Sequence, residues 1–160
     1  LGNLAQRTLS MIYKNCDAAL PAPNELNADD NKLLDQVYNV VRVARENFDA
    51  FKIHRSAEEI WKVVSAADIY VDAQAPWKLK KEDPERMKTV LYVLAETVRC
   101  LAILAQPFTP DAAAKLLDQL KVDESYRNFA ALNAEHKLQH GTSIDKPEGV
   151  FPRIHIEEVA

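Results

Sequence analysis

The chain has 160 residues, 48% hydrophobic and 28% charged, the balance of one ordinary globular domain or of a domain with a tail. Its three glycines disfavour a turn-rich β architecture, and no apolar stretch reaches the roughly 18 residues of a membrane-spanning helix. The net charge of −4 argues mildly against a nucleic-acid partner, because phosphate binding draws on Lys and Arg.

The chain opens on Leu1-Gly2-Asn3, with neither Met nor a basic-then-apolar leader, which reads as an internal cut in a longer protein rather than a signal peptide. From Leu1 to about Leu20 a helix is predicted, since Leu4, Thr8, Met11, Ile12 and Cys16 recur at spacings of three and four. Pro21 and Pro23 end it. Asn27 is a plausible N-cap for a second helix, with Asp30 in the positive first turn. That helix carries Leu33, Leu34, Val37, Val40, Val41, Ala44 and Phe48 and should run to about Asp49.

A third helix is predicted to start near Ser56, where Ser56-Ala57-Glu58-Glu59 has the form of a capping box. Its apolar face is Ala57, Ile60, Trp61, Val64, Ala67 and Val71, which assigns Trp61 to the core. Pro76 should end it, because a proline pushes the preceding residue out of helical geometry, leaving Trp77 just past the helix end. Asp83-Pro84 then gives a cap followed by a proline at the first helical position. The fourth helix that follows is apolar on more than one side, through Met87, Val90, Leu91, Leu94, Val98, Leu101 and Leu104, and is expected to be central. Pro107 ends it, and Thr109-Pro110 opens a shorter fifth helix to about Leu120. A weaker helical piece is expected over 125–132.

From Ala134 the pattern fades. Gly141, Pro147, Gly149 and Pro152 mark an irregular tail with apolar islands at Val150-Phe151 and Ile154-His155-Ile156. The expected organisation is all-α: a bundle of four long helices plus a shorter fifth over 1–133, and a tail over 134–160 that packs back on the bundle or on another surface.

Residues with chemical potential are few. Cys16 and Cys100 lie in apolar helical contexts and read as buried thiols in a reduced compartment; no Cys-x-x-Cys pair suggests zinc. No Glu-x-x-His pair suggests a metal bundle, and His54 with Glu58 reads as a solvated helix start. His136, His140 and His155 fall in the weakly patterned tail and are expected at the surface. No nucleophile motif and no Gly-rich phosphate loop is present, so neither catalytic nor metal-binding residues are assigned.

Three features point to a surface that reads an unpaired base. Asn3 and Arg7 stand four apart and share a helix face; an amide and a rigid guanidinium fork together can read a base edge, although a plain polar face is the alternative. Trp77 follows Pro76 at a helix end, and an exposed, stiffly held aromatic can stack a base; a Trp folded into the core rim is the alternative. Lys78, Lys80, Lys81, Arg86 and Lys88 cluster within eleven residues, interrupted by Glu82, Asp83 and Glu85, and the first three could meet flanking phosphates or form a solvated loop.

Together these segments resemble methionyl-tRNA synthetases. Leu1-Gly2-Asn3-Leu4-Ala5-Gln6-Arg7 is similar to that family's Gly-Asn-Leu-x-x-Arg helix. The stretch Asp68-Ile69-Tyr70-Val71-Asp72-Ala73-Gln74-Ala75-Pro76-Trp77 resembles its Asn-x-Tyr-x-(Asp/Glu)-x-x-x-Pro-Trp segment, and Gln106-Pro107-Phe108-Thr109-Pro110 its Pro-(Phe/Met)-x-Pro corner. Phe151-Pro152-Arg153 resembles a common chain ending. Asp68 departs from the family's Asn and would repel a phosphate-rich ligand unless paired or turned inward.

The resemblance implies an anticodon-binding helix bundle of a class I synthetase that reads the CAU anticodon. It carries recognition of the first anticodon cytosine onto Asn3, Arg7 and Trp77, with Pro76 shaping the corner and Lys14 touching the loop. Arg7 can only donate, which directs it to O2 or N3 of cytosine; Asn3 can donate or accept. The family's two nucleotide-binding signatures are absent. The resemblance therefore implies a cytoplasmic parent enzyme that joins L-methionine to tRNA(Met) with ATP and magnesium at sites outside this segment, which itself holds no cofactor. Its partners would be the tRNA(Met) anticodon loop and its own catalytic domain, not DNA or membrane. Two alternatives stand beside this: a helical protein-interaction or scaffold module, and the equivalent bundle of another class I synthetase, against which the Pro76-Trp77 corner argues.

Overall fold

A computed structural model describes residues 1–152; the predicted apolar island Ile154-His155-Ile156, His155 among the histidines and Arg153 lie outside the described residues. Helix α5 (Pro84–Ala105) organises the molecule. Its sequence is apolar on more than one side, and every residue from Thr89 to Ala105 is buried. Around it stand α1 (Gly2–Asn15), α2 (Ala28–Asp49), α3 (Ile53–Gln74), α4 (Pro76–Glu82) and α6 (Pro110–Gln119), all of which touch it. The all-α expectation holds. Four helices are long and α6 is the shorter one, but α4, a further seven-residue helix, was not predicted. Among the described residues no helix is long and apolar enough to cross a membrane.

Local signals set several boundaries. Asn27 accepts from the Asp30 amide and the Asp30 carboxylate accepts from the Asn27 amide, each at 3.0 Å, which closes a capping box at the start of α2. Asp83 caps α5 by accepting from the Arg86 amide, and Pro84 sits in the first turn. Thr109 occupies the cap position of α6, but its side chain does not cap. Helices α2 and α3 run antiparallel through a tight link in which Phe51 has φ 58°: Asp29 reaches Gln74 at one end and Ala44 reaches Ser56 at the other.

Long-range contacts override the pattern elsewhere. The first helix stops at Asn15 instead of Leu20, because Asp17 and Ala18 turn into the left-handed region and Ala18 and Leu20 bond a distant segment. Leu20 N–H donates to the Thr142 carbonyl at 2.9 Å, Gly141 N–H to Leu20 at 2.7 Å and Ile144 N–H to Ala18 at 2.7 Å, around a single antiparallel bridge of Ala19 with Ser143. The third helix starts at Ile53, not at Ser56; Ser56 is buried and donates its hydroxyl to the Ala44 carbonyl at 2.9 Å. Trp61 is not core: it is 45% exposed, while its neighbour Ile60 is fully buried. The piece expected over 125–132 resolves into two single 3₁₀ turns, Glu124–Tyr126 and Phe129–Ala131, and a third, Ala134–His136, follows in the segment predicted to be irregular.

A buried ion pair joins the last described stretch to α5. Glu96 and Arg99 are 0% and 1% exposed and meet at 2.6 Å. Glu96 also accepts from the Leu138 amide and the Tyr38 hydroxyl, both at 2.9 Å, and Arg99 donates to the Ala131 carbonyl at 3.0 Å. Tyr92 donates to the Leu138 carbonyl at 2.7 Å. Leu138, Ile144 and Val150 are buried in the same apolar cluster as the helices. Cys100 lies within this core, where burial pushes its thiol well up; Cys16 is half-buried, not fully buried as predicted.

Candidate nucleic-acid interface

The sequence between α3 and α5 contains no glycine, yet the chain must turn there. Ala75 makes the turn in the left-handed region, at φ 44° and ψ 60°, while its N–H still closes the last turn of α3 on Val71 at 2.9 Å. Pro76 then begins α4, its missing N–H costing nothing at that position, and its ring is buried. Trp77 lies past the end of α3, as expected, and is the second residue of a short helix that was not expected. Its ring is 44% exposed.

Helix α4 also rearranges the basic run. Trp77, Lys80 and Lys81 fall at helical spacings of three and four and share a face, whereas Lys78 is rotated away from it. The three lysines are exposed. Arg86 leaves the run altogether: it is turned inward onto Asp30, and Lys88 pairs with Glu85 at 2.7 Å. The local patch is thus three lysines, not five basic residues.

Helix α1 supplies the second half of the face. The Arg7 guanidinium carbon lies 5.5 Å from the Trp77 ring centroid, within cation–π range. Asn3 is exposed one turn earlier on the face of Arg7. Lys14 is exposed two turns further along α1, near its C-terminal end. The structure thus joins Arg7 to Trp77 directly and leaves Asn3 on the adjoining turn and Lys14 at a distance along the same helix. Asp68 is exposed on α3, so it is not turned inward.

Beneath the corner lies a cluster that sequence reading missed. The Asp30 side chain is fully buried and takes two hydrogen bonds from Arg86, at 2.5 and 2.7 Å, and a third from the Tyr70 hydroxyl. Arg86 donates in addition to the Gln74 side-chain oxygen at 2.6 Å, and Gln74 donates to Asp29 at 3.2 Å. Burial alone would raise the Asp30 carboxyl; the bonds from Arg86, Tyr70 and the Asn27 amide outweigh it and hold the group below the ordinary carboxylate range. Burial, and then the bond to Asp30, push the Tyr70 hydroxyl far above its ordinary value. The only sequence signal for this cluster was the cap pair Asn27 and Asp30; nothing linked Asp30 to Tyr70, 40 residues on, or to Arg86, 56 residues on.

An exposed aromatic under a guanidinium, on a bundle whose turn is braced from below, presents one flat stacking surface beside hydrogen-bond donors. Comparison with known proteins gives the family of the chain. Residues 20–160 match the model of the anticodon binding domain of methionyl tRNA ligase. The chain is 50% identical over 153 residues to the methionine–tRNA ligase of Mesorhizobium japonicum, covering 96% of this chain and 30% of that protein. It is 42% identical over 157 residues to the corresponding ligase of Mycobacterium bovis, again with 96% and 30% covered. The crystal structure of apo Mycobacterium tuberculosis methionyl-tRNA synthetase superposes with a TM-score of 0.93 at 41% identity, over 98% of this chain and 32% of that one. The same enzyme bound by methionyl-adenylate gives 0.91 at 42% identity, over 95% and 30%. The class is that of tRNA-ligase domains. The chain belongs to the anticodon-binding domain family of methionyl tRNA ligase, and it spans about 30% of the length of the curated relatives it matches. The α1 residues Asn3 and Arg7 precede the segment matched by the family model but fall within a chain that the relatives cover almost completely.

Proposed function

We propose that this domain reads the CAU anticodon of tRNA(Met) and that Trp77, Arg7 and Asn3 grip its first base, cytosine. The observation that carries the reading is the Arg7–Trp77 pair, 5.5 Å apart and brought together from two helices. Anticodon bases are unpaired and are read by splaying, stacking and bonding of their Watson–Crick edges. Trp77 supplies the stacking face, stiffened by Pro76 and by the guanidinium above it. Arg7 donates to cytosine O2 or N3, and Asn3 bonds the remaining edge. Lys80 and Lys81, on the Trp77 face, meet phosphates flanking the stacked base, and Lys14 contacts the loop further along α1. In this reading the domain selects the tRNA and performs no chemistry. The longer protein, held in the cytoplasm, joins L-methionine to tRNA(Met) with ATP and magnesium at sites elsewhere in its chain; its relatives are named methionine–tRNA ligases.

Binding of a CAU stem-loop measured by titration tests this. Trp77→Ala should weaken it by about 1–3 kcal/mol, the cost of a lost stacking platform. Undiminished affinity in that variant would sink the reading. The outward Trp61 and Ile69, 45% and 70% exposed, favour a second reading as a protein-binding module. Equal affinity for CAU and scrambled loops across salt concentrations would select it.

A further inference from the structure

Helix α4 has seven residues, too few to hold its own shape in water. Its geometry must come from anchors. Pro76 and the half-buried Leu79 are two of them. A third is a side-chain clasp joining the residues that flank the helix. Gln74 is the last residue of α3, and Arg86 lies in the first turn of α5; the guanidinium bonds the Gln74 oxygen at 2.6 Å. The clasp is fixed from below, because the two terminal Arg86 nitrogens, one of them the donor to Gln74, bond the fully buried Asp30, which Tyr70 holds in turn.

The geometry is transmitted stiffly. Only Ala75 and Pro76 separate Gln74 from Trp77, and neither is free to rotate: Ala75 sits in the narrow left-handed well at φ 44°, and proline fixes its own φ. Resting on the RNA-binding reading of Trp77, we infer that Gln74 and Arg86 are positioning residues that set the attitude of the Trp77 ring beneath Arg7 and thereby its grip on an unpaired base. A lysine at 86 keeps the charge but not the planar fork that holds two partners at once. Asp30 and Tyr70 anchor the clasp from the α2 and α3 sides, so a change at Arg86 reaches three helices, while a change at Gln74 cuts only the link to the corner.

The test uses the 160-residue chain carrying Trp61→Phe, which leaves Trp77 as its sole tryptophan. Gln74→Ala, Arg86→Lys and Trp77→Ala are compared for CAU stem-loop affinity, thermal midpoint and, where Trp77 is present, anisotropy decay. Gln74→Ala should weaken binding roughly five- to tenfold, the worth of about one hydrogen bond, with an unchanged midpoint and faster local motion of Trp77. Arg86→Lys should weaken binding and quicken Trp77 motion more strongly, and with a lowered midpoint, because it also disturbs the buried Asp30 pair. If Trp77→Ala weakens the loop but Gln74→Ala leaves affinity and anisotropy at parental values, the clasp is not a positioning device and the inference is overturned. If Trp77→Ala itself has no effect, the RNA-binding reading falls instead, and a faster Trp77 decay in Gln74→Ala still upholds the mechanical link. Should Arg86→Lys fail to fold, Gln74→Ala alone decides, since Gln74 is only half-buried at a helix end.

Discussion

Asp30 does two jobs with one carboxylate. It closes the capping box of α2 and it receives the Arg86 fork. Its folded pKa lies below the ordinary value, so the stability it contributes is complete above the unfolded carboxylate range and is lost as pH falls through the lower folded value. Urea unfolding followed from pH 7 to pH 3 should therefore steepen in its acid loss where Asp30 titrates. Asp30→Asn should start from a lower stability, because Arg86 loses its counter-charge, and should show a shallower acid loss. An identical acid slope in the two proteins would disprove the assignment. The same residue marks the limit of sequence reading at this scale: its cap partner lies three residues away and is visible in the sequence, whereas Arg86 could only be seen as one more member of a basic run.

At the level of the elements, what could be read was what is local. The caps at Asn27 and Asp83 and the proline starts at 84 and 110 depend on neighbours within a turn, and they set boundaries as expected. Helix α4 opens on a proline too, but without a capping side chain and with only seven residues, so its start read as the end of α3. Trp61 was misplaced for a different reason. Periodicity gives a stripe but not its exact direction, and α2 and α5 take the set Ile60, Val63, Val64, Ala67, Tyr70 and Val71, turned toward Val63 and Tyr70 and away from Ala57 and Trp61. Trp61→Ala should accordingly shift the stability of the domain by about 1 kcal/mol or less, within the range of surface changes, and not by the roughly 3–5 kcal/mol of a buried tryptophan. Chemical denaturation of the pair of proteins distinguishes the two figures.

Across the whole molecule, the candidate site is made by residues far apart in the chain, and the α5 ion pair, although Glu96 and Arg99 stand three apart, is completed by partners distant in sequence. Arg7 and Trp77 were singled out for their types and their family pattern; their direct contact was not legible, because it depends on how α1 and α4 lie on α5. The net charge of −4 leaned the other way, since it averages over a surface on which Lys80 and Lys81 are gathered beside Trp77 and Arg86 is withdrawn. The complete burial of Glu96 and Arg99 and their bonds to Tyr38, Ala131 and Leu138 could not be read from the sequence. Removing one member strands the other in a dry core, so Glu96→Ala should cost about 3–5 kcal/mol in equilibrium unfolding, and loss of the acceptor for the Leu138 amide should raise hydrogen exchange around that residue. A cost below about 1 kcal/mol would show that water reaches the pair.

The bridge between Ala19 and Ser143 carries a consequence in time. A ribosome delivers the two partners far apart, at about 5–20 residues per second, so the hydrogen bonds that stop the first helix at Asn15 are missing for on the order of ten seconds after that helix emerges. During that interval nothing distant opposes the local preference of 16–20 to continue as helix, the very conformation its spacing suggests. Only once residues 141–144 are made can their hydrogen bonds to Ala18 and Leu20 fix the end of α1 at Asn15.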